Sequence, residues 1–267
     1  MESTFQARKG HADGWTWPLA IRSIAVHITV WVLVLILGPI ATVLSPFTGG
    51  QIVFWLGLLW SKIIMAVAGV KLEIEGLEKV RKGQAQVLVG NHASNFDIYV
   101  MIIALRKHYY RFVAKKELRH IPIFGWALWA GRFPFVDRRD NEKARRTMKR
   151  LARRVKRTGL SILAFPEGTR NRTDRLMPFK KGPFVLAIDL GVPLVPFVIH
   201  GAQRVQGRHK YLVRRGVIRV EFLDRVETVG LAYEDRDDLI ESIRKRIEKS
   251  LLEDEQFTAN VNADDGV

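Results

Sequence analysis

The segment NHASNFD at 91–97 sets a histidine and an aspartate five positions apart, where an apolar run ends and a helical pattern begins. Five positions do not share a face of one continuous helix. If His92 lies in the loop and Asp97 in the first helical turn, the chain can bend to bring the two together. The carboxylate then accepts the imidazole N–H, fixes the tautomer and leaves the other ring nitrogen as a general base. A plainer reading of the same residues stands beside this one. Ser94 can be the N-cap and Asp97 the far member of a capping box, Ser-x-x-Asp, with His92 a turn histidine bonded to backbone. The two roles of Asp97 compete for its oxygens.

A second cluster, FPEGTRNR at 165–172, follows the apolar run LSILAFP. Pro166 and Gly168 shape a tight turn able to expose backbone N–H groups. Glu167 and Arg170 then sit at the carboxyl end of a strand, where α/β proteins bind ligands. The planar fork of Arg170 suits a phosphate, and Arg172, Lys180 and Lys181 follow closely. Read blandly, this is a charged surface turn. Two weaker clusters are AKKELRHIPIFGW at 114–126, with Lys115 and Lys116, and GRFPFVDRR at 131–139, with Asp137 beside Arg138. Either can be a solvated ion pair and nothing more.

Other chemistries find little support. The chain has no cysteine, which removes a thiolate nucleophile, disulfides and thiolate metal sites. Its 7 histidines include no His-x-x-x-His pair, so no metal is expected. A G-x-S-x-G elbow, a P-loop and a G-x-G-x-x-G fingerprint are all missing.

The elements that must position these clusters read as α/β. Strand candidates are 71–76, 85–91, 110–114, 133–137, 160–166, 194–200 and 217–223. Helical patterns occupy 98–107, 139–158 and 236–252. Alternation of the two predicts a mostly parallel or mixed sheet flanked by helices over 71–252, with 253–267 a polar, disordered tail. Within 139–158, Ala144, Met148, Leu151, Ala152 and Val155 form an apolar stripe, and the other faces are densely basic.

Ahead of that domain, residues 1–70 hold two apolar stretches, 24–44 and 52–70, each near the ~20 residues that span a bilayer. The uncharged SPFTGGQ between them and the basic residues outside them predict a membrane-associated helical hairpin. Its two ends should be cytoplasmic, and its loop should dip into or cross the membrane. Pro39 and Lys62 favour the shallower course.

With 43 Lys+Arg against 27 Asp+Glu, the formal charge is +16, which calls for an anionic partner. A membrane-tethered nucleic-acid binder using 138–157 as a basic arm would want aromatics near that arm, and there are none. A non-catalytic lipid tether would share the hairpin but would have no need of His92.

Taken together, the motifs resemble the glycerolipid acyltransferase superfamily, and most closely its bacterial lysophosphatidic acid acyltransferase branch. NHASNFD is the His-x4-Asp motif, GRFPFVDR the second, FPEGTR the third, and VPLVPFVI at 192–199 the fourth, all in the family's order. The hairpin and FKKG at 179–182 are also similar to the family. Asn171 stands where many members have Ser, and Pro134 where another bulky apolar residue is expected.

The resemblance implies that His92 is the base and Asp97 its orienting partner. It implies that Arg138, Glu167, Gly168, Thr169 and Arg170 bind a glycerol-phosphate acceptor, with Lys115 a further phosphate contact. The reaction implied is acyl transfer from acyl-CoA or acyl carrier protein to lysophosphatidic acid at a phospholipid membrane, on the cytoplasmic face of a bacterial inner membrane. No cofactor, metal or nucleic acid is called for. Glycerol-3-phosphate, a lyso-aminolipid or a lysophospholipid are the alternative acceptors.

Overall fold

The computed structural model describes residues 16–137, 139–171, 176–207 and 211–264. The strands, in chain order, are β1 (Val70–Glu75), β2 (Val87–Gly90), β3 (Tyr110–Phe112), β4 (Ala114–Lys115), β5 (Phe135–Val136), β6 (Ser161–Ala164), β7 (Leu194–His200) and β8 (Gly216–Phe222). The helices are α1 (Trp17–Leu44), α2 (Gln51–Ala68), α3 (Phe96–Ala104), α4 (Phe124–Ala130), α5 (Asn141–Thr158), α6 (Gly182–Leu190), α7 (Ala202–Val205) and α8 (Arg236–Asp264).

Six strands form one sheet in the order β1-β8-β7-β2-β6-β3. Only the β7/β8 pairing is antiparallel among its five pairings; the rest are parallel. This is the expected α/β class. β2, β6 and β7 are buried at every residue, because helices cover both sides of the sheet and leave no solvent face for polar alternation. Among the described residues β4 and β5 pair only with each other. The expected strand 110–114 is therefore split, and 133–137 contributes two residues to a separate ribbon.

Alternate side chains divide the core in two. Val87, Val89, Ile162, Leu194 and Val198 point to a layer made by α5, α6 and α8. Leu88, Leu163, Val195, Phe197 and Ile199 point the other way, to α3, with α2 and α1 beyond it. Each fully buried aliphatic or aromatic side chain stabilises the packing by roughly 1.5–3 kcal/mol.

The stripe of α5 does bury Leu151 and Val155, and its ends are well defined. Asp140 accepts the Lys143 N–H at 2.9 Å, and Gly159 caps the other end at φ 64°. α8 does not stop at 252. It continues through the segment expected to be a disordered tail as far as Asp264. Just past the expected end, Asp254 pairs with Arg219 on β8 at 2.8 Å and so ties the first added turn to the sheet.

By length and composition α1 and α2 could each cross a membrane. α1 begins earlier than expected, at Trp17, and α2 ends at Ala68, where left-handed Gly69 turns the chain into β1. Ile21, Ile28, Trp31, Leu35, Val43 and Trp55 are exposed on their outer side. The hairpin loop lies on the domain. Ser45 Oγ donates to the Ala130 carbonyl at 2.6 Å. Arg111, 2% exposed, donates to the carbonyls of Gly131 and Tyr110, both at 2.8 Å, and of Gly50 at 3.3 Å. At the start of α1, Ser23 Oγ accepts the N–H of Val213 at 2.8 Å. Tied at both ends, the hairpin lies alongside the domain and turns an apolar flank outward, which is the surface it offers to lipid.

Candidate active site

β2, β6 and β7 are mutually parallel, so their carboxyl ends meet at one edge of the sheet. β2 can lie this close to β7 because its last residue is Gly90: a Cβ there would collide with the Phe197 ring. Asn91 then fixes the exit of the strand. Its side chain donates to the Ile199 carbonyl at 3.0 Å and accepts the Ile199 N–H at 2.8 Å.

His92 follows, with Nδ1 2.7 Å from Asp97 Oδ2. The same oxygen accepts the N–H groups of Ala93 at 2.7 Å and Ser94 at 2.9 Å. Ser94 Oγ in turn accepts the Phe96 N–H at 3.1 Å. One carboxylate oxygen thus holds both the ring and two backbone N–H groups of the turn, whereas the N-cap of α3 is Asn95, not Ser94, and its side chain makes no capping bond. Asp97 is buried in the first turn of α3, its side chain 1% exposed against 17% for His92. With a neutral ring donating through Nδ1, the lone pair is at Nε2, the atom placed to take a proton.

The third motif folds over this turn. Glu167 Oε1 accepts the His92 N–H at 2.7 Å, and its other oxygen accepts the Met177 N–H at 3.1 Å. Asn171 N–H donates to the His92 carbonyl at 2.6 Å. Phe165 stacks on the imidazole with ring centroids 4.3 Å apart and planes 19° from parallel. Gly168, at φ 76°, provides the left-handed step that lets the loop close over the turn. Glu167 is only 4% exposed. Burial pushes its carboxyl up to about 7, against the two backbone N–H bonds, which pull it down; the Asp97 carboxylate adds to the rise.

The structure therefore brings His92, Asp97 and Glu167 into one bonded unit. Arg170 joins it through Asn95, whose Oδ1 accepts from Nη1 at 2.6 Å and whose amide donates to Gln206 at 3.3 Å. Lys115, its side chain 48% exposed, pairs with Glu117 at 3.4 Å instead. Lys116 pairs with Asp137 at 3.0 Å. Thr169 is exposed and Gly168 half-buried on the turn. Arg138 and Arg172 lie outside the described residues.

Three contributors were not singled out from the sequence: Asn91, Asn95 and Phe165. The asparagines stand inside the motif and Phe165 directly before Pro166, so position was the available signal. Their partners, however, are remote in the chain. A cavity of about 240 Å³ with a mixed polar and apolar lining opens beside the turn, its wall including His92, Glu167, Asn171, His200, Arg204 and Asp254. An apolar one of about 120 Å³ lies between the hairpin and α3 and α4, with Leu37, Ala41, Trp60, Ile102 and Phe133 in its wall.

A carboxylate-oriented imidazole at the rim of a cavity, with a guanidinium nearby, is equipped for proton abstraction from a hydroxyl on an anionic molecule. Comparison with known proteins agrees with that chemistry. A family model described as Acyltransferase matches residues 71–200. A 1-acyl-sn-glycerol-3-phosphate acyltransferase of Haemophilus influenzae is 31% identical over 86% of this chain and 94% of its own. The human 1-acyl-sn-glycerol-3-phosphate acyltransferase beta is 29% identical over 69% of this chain and 66% of its own. The fold is that of the crystal structure of the 1-acyl-sn-glycerophosphate (LPA) acyltransferase PlsC from Thermotoga maritima. The TM-score is 0.75 at 21% identity, over 88% of this chain and 95% of that one. The chain belongs to the acyltransferase family, and it is an O-acyltransferase.

Proposed function

We propose that the enzyme transfers an acyl group from a thioester, acyl-CoA or acyl carrier protein, to the sn-2 hydroxyl of 1-acyl-glycerol-3-phosphate, giving phosphatidic acid. The observation that carries this is the 2.7 Å contact of His92 Nδ1 with Asp97 Oδ2, in a turn braced by the FPEGTR segment. The acceptor is supported by the named activity of the Haemophilus influenzae and human relatives.

The acceptor oxygen attacks the thioester carbonyl carbon while its proton passes to His92 Nε2. Asp97 keeps hold of Nδ1–H and balances the charge of the imidazolium. The tetrahedral intermediate collapses with cleavage of the C–S bond, and the imidazolium returns the proton to the departing sulfur. No acyl-enzyme forms. General-base catalysis supplies ~10²–10⁴ in rate, with orientation and charge stabilisation adding the remainder.

Arg170 binds the acceptor phosphate, with Lys115 and Arg138 as further cations and the Gly168–Thr169 turn beside it. The apolar wall under the hairpin suits an acyl chain. No metal or cofactor enters any step. The enzyme works with its hairpin in one leaflet, at the cytoplasmic face of a bacterial inner membrane. The loop bonds to the domain and the basic residues flanking the hairpin support that placement.

The test is an assay of membranes carrying wild type or His92→Ala, with lysophosphatidic acid and a labelled acyl-CoA. Wild-type transfer falling by ~10²–10⁴ in the variant, while membrane attachment persists, is the expected result. Undiminished transfer by the variant sinks the mechanism and leaves Asp97 a helix cap. A folded wild type inactive on this acceptor sinks the acceptor.

A further inference from the structure

Helix α5 reads NEKARRTMKRLARRVKRT and bears a basic residue at half of its 18 positions. Three of these cations have local partners. Lys143 pairs with Asp140 at 2.8 Å, Arg146 pairs with Glu142 at 3.0 Å, and Arg154 donates to the Arg132 carbonyl. The remaining six, Arg145, Lys149, Arg150, Arg153, Lys156 and Arg157, are exposed and have no ion pair among the described residues. At 100° per residue they fall within an arc of about 140°, opposite the buried stripe.

The helix does not gain from this pattern on its own account. Arg145/Lys149, Lys149/Arg153 and Arg153/Arg157 are like-charge pairs at i,i+4, which repel. Basic residues in the first turns also oppose the helix dipole, and only Lys156 and Arg157, in the last turn, complement it. A one-sided, unneutralised face that burdens its own helix is built for an anionic partner.

The position of α5 selects the kind of partner. Its Leu151 and Val155 pack with α6 and α8 on one side of the sheet, whereas the apolar hairpin belongs to the other side. A bilayer engaged by α1 and α2 therefore lies across the sheet from the basic face, which turns toward water. α5 also leads into the start of β6, parallel to β2, so its N-terminal half stands at the sheet edge where His92 sits. A partner held there is beside the active site.

We propose that the exposed basic face of α5 docks a soluble acidic carrier protein that presents the acyl thioester to His92. This rests on the thioester donor proposed above and adds which surface receives it. Charge complementarity of this kind acts mainly through encounter, so it is sensitive to salt and to charge reversal.

The experiment compares wild type with the triple variant Arg145→Glu, Lys149→Glu, Arg153→Glu, using two donors with the same acyl chain. One donor is acyl-CoA and the other is the acylated acidic carrier protein. Expected is a fall of about 10-fold or more in kcat/KM with the carrier, carried by KM, together with a flatter salt dependence. With acyl-CoA the rate stays within about 2-fold, which also reports that the variant is folded. An unchanged carrier reaction, or an equal fall with both donors, overturns the proposal. So does a wild type that uses acyl-CoA but not the carrier. Loss of binding to anionic vesicles with the carrier reaction intact assigns the face to lipid and overturns it as well. Failure of wild type with both donors instead strikes the proposed function itself.

Discussion

Around His92 the backbone N–H, the backbone carbonyl, ring Nδ1 and one ring face each have a partner: Glu167, Asn171, Asp97 and Phe165. At the cationic rim the arrangement is looser. Lys115 is half exposed and paired with its near neighbour Glu117, Thr169 faces solvent, and Arg170 donates to the Asn95 side chain in the turn. A base must be held to a fraction of an ångström, because proton transfer fails when the lone pair is misdirected. A phosphate is gripped by charge over a longer range and tolerates solvated, exchangeable partners. The turn is thus built to orient and the rim to attract.

The sharpest way to break that contrast is Asp97→Asn. The asparagine carbonyl can still accept from Ala93 and Ser94, so the turn should survive while the ring loses its anionic anchor. We expect kcat to fall by on the order of 10² or more with KM little changed, measured by steady-state kinetics beside a melting curve. A loss under about 3-fold would reduce Asp97 to a cap. Next is Arg170→Lys, which keeps the charge and removes the planar fork. KM for lysophosphatidic acid should rise about 10-fold with kcat less affected, and a pure kcat effect would move Arg170 from the rim to the turn.

The smallest effect on rate is expected from Glu167→Gln, which sharpens the picture through pH. The folded carboxyl, at about 7, lies above its ordinary 4.5. Protonation is therefore favoured in the folded state. The stability it brings is complete below about 4.5 and is lost as pH rises through about 7. The Tm of wild type relative to the Gln variant should decline across that window and level off above it, by the equivalent of roughly 1–3 kcal/mol. A flat difference would mean that Glu167 titrates normally.

What was legible in the sequence was local. The apolar stripe of α5, the runs that became β2, β6 and β7, and the bend between His92 and Asp97 all follow from patterns a few residues long. What was not legible depends on distance along the chain. Glu167 meets the His92 N–H across 75 residues, and Asn91 meets Ile199 across 108. Nor does the motif announce that both oxygens of Glu167 accept backbone N–H groups, from His92 and Met177. Arg111 looked like one polar residue in a strand, and nothing nearby announced that it would be buried against a loop 61 residues earlier. α4 was hidden in an apolar stretch too short for its period to stand out. The end of α8 was misjudged because polar composition said tail, while an ion pair to β8 said otherwise.

The ties of the hairpin also set a schedule. The residue that fastens its loop, Arg111, is made 61 residues after Gly50, and the partner of Ser23, Val213, follows 190 residues after it. At about 5–20 residues per second of synthesis, the two waits are roughly 3–12 s and 10–40 s. For that interval the most apolar part of the chain exists without the domain that will hold it. That stretch must therefore be shielded by something other than its own domain before the catalytic centre has been made.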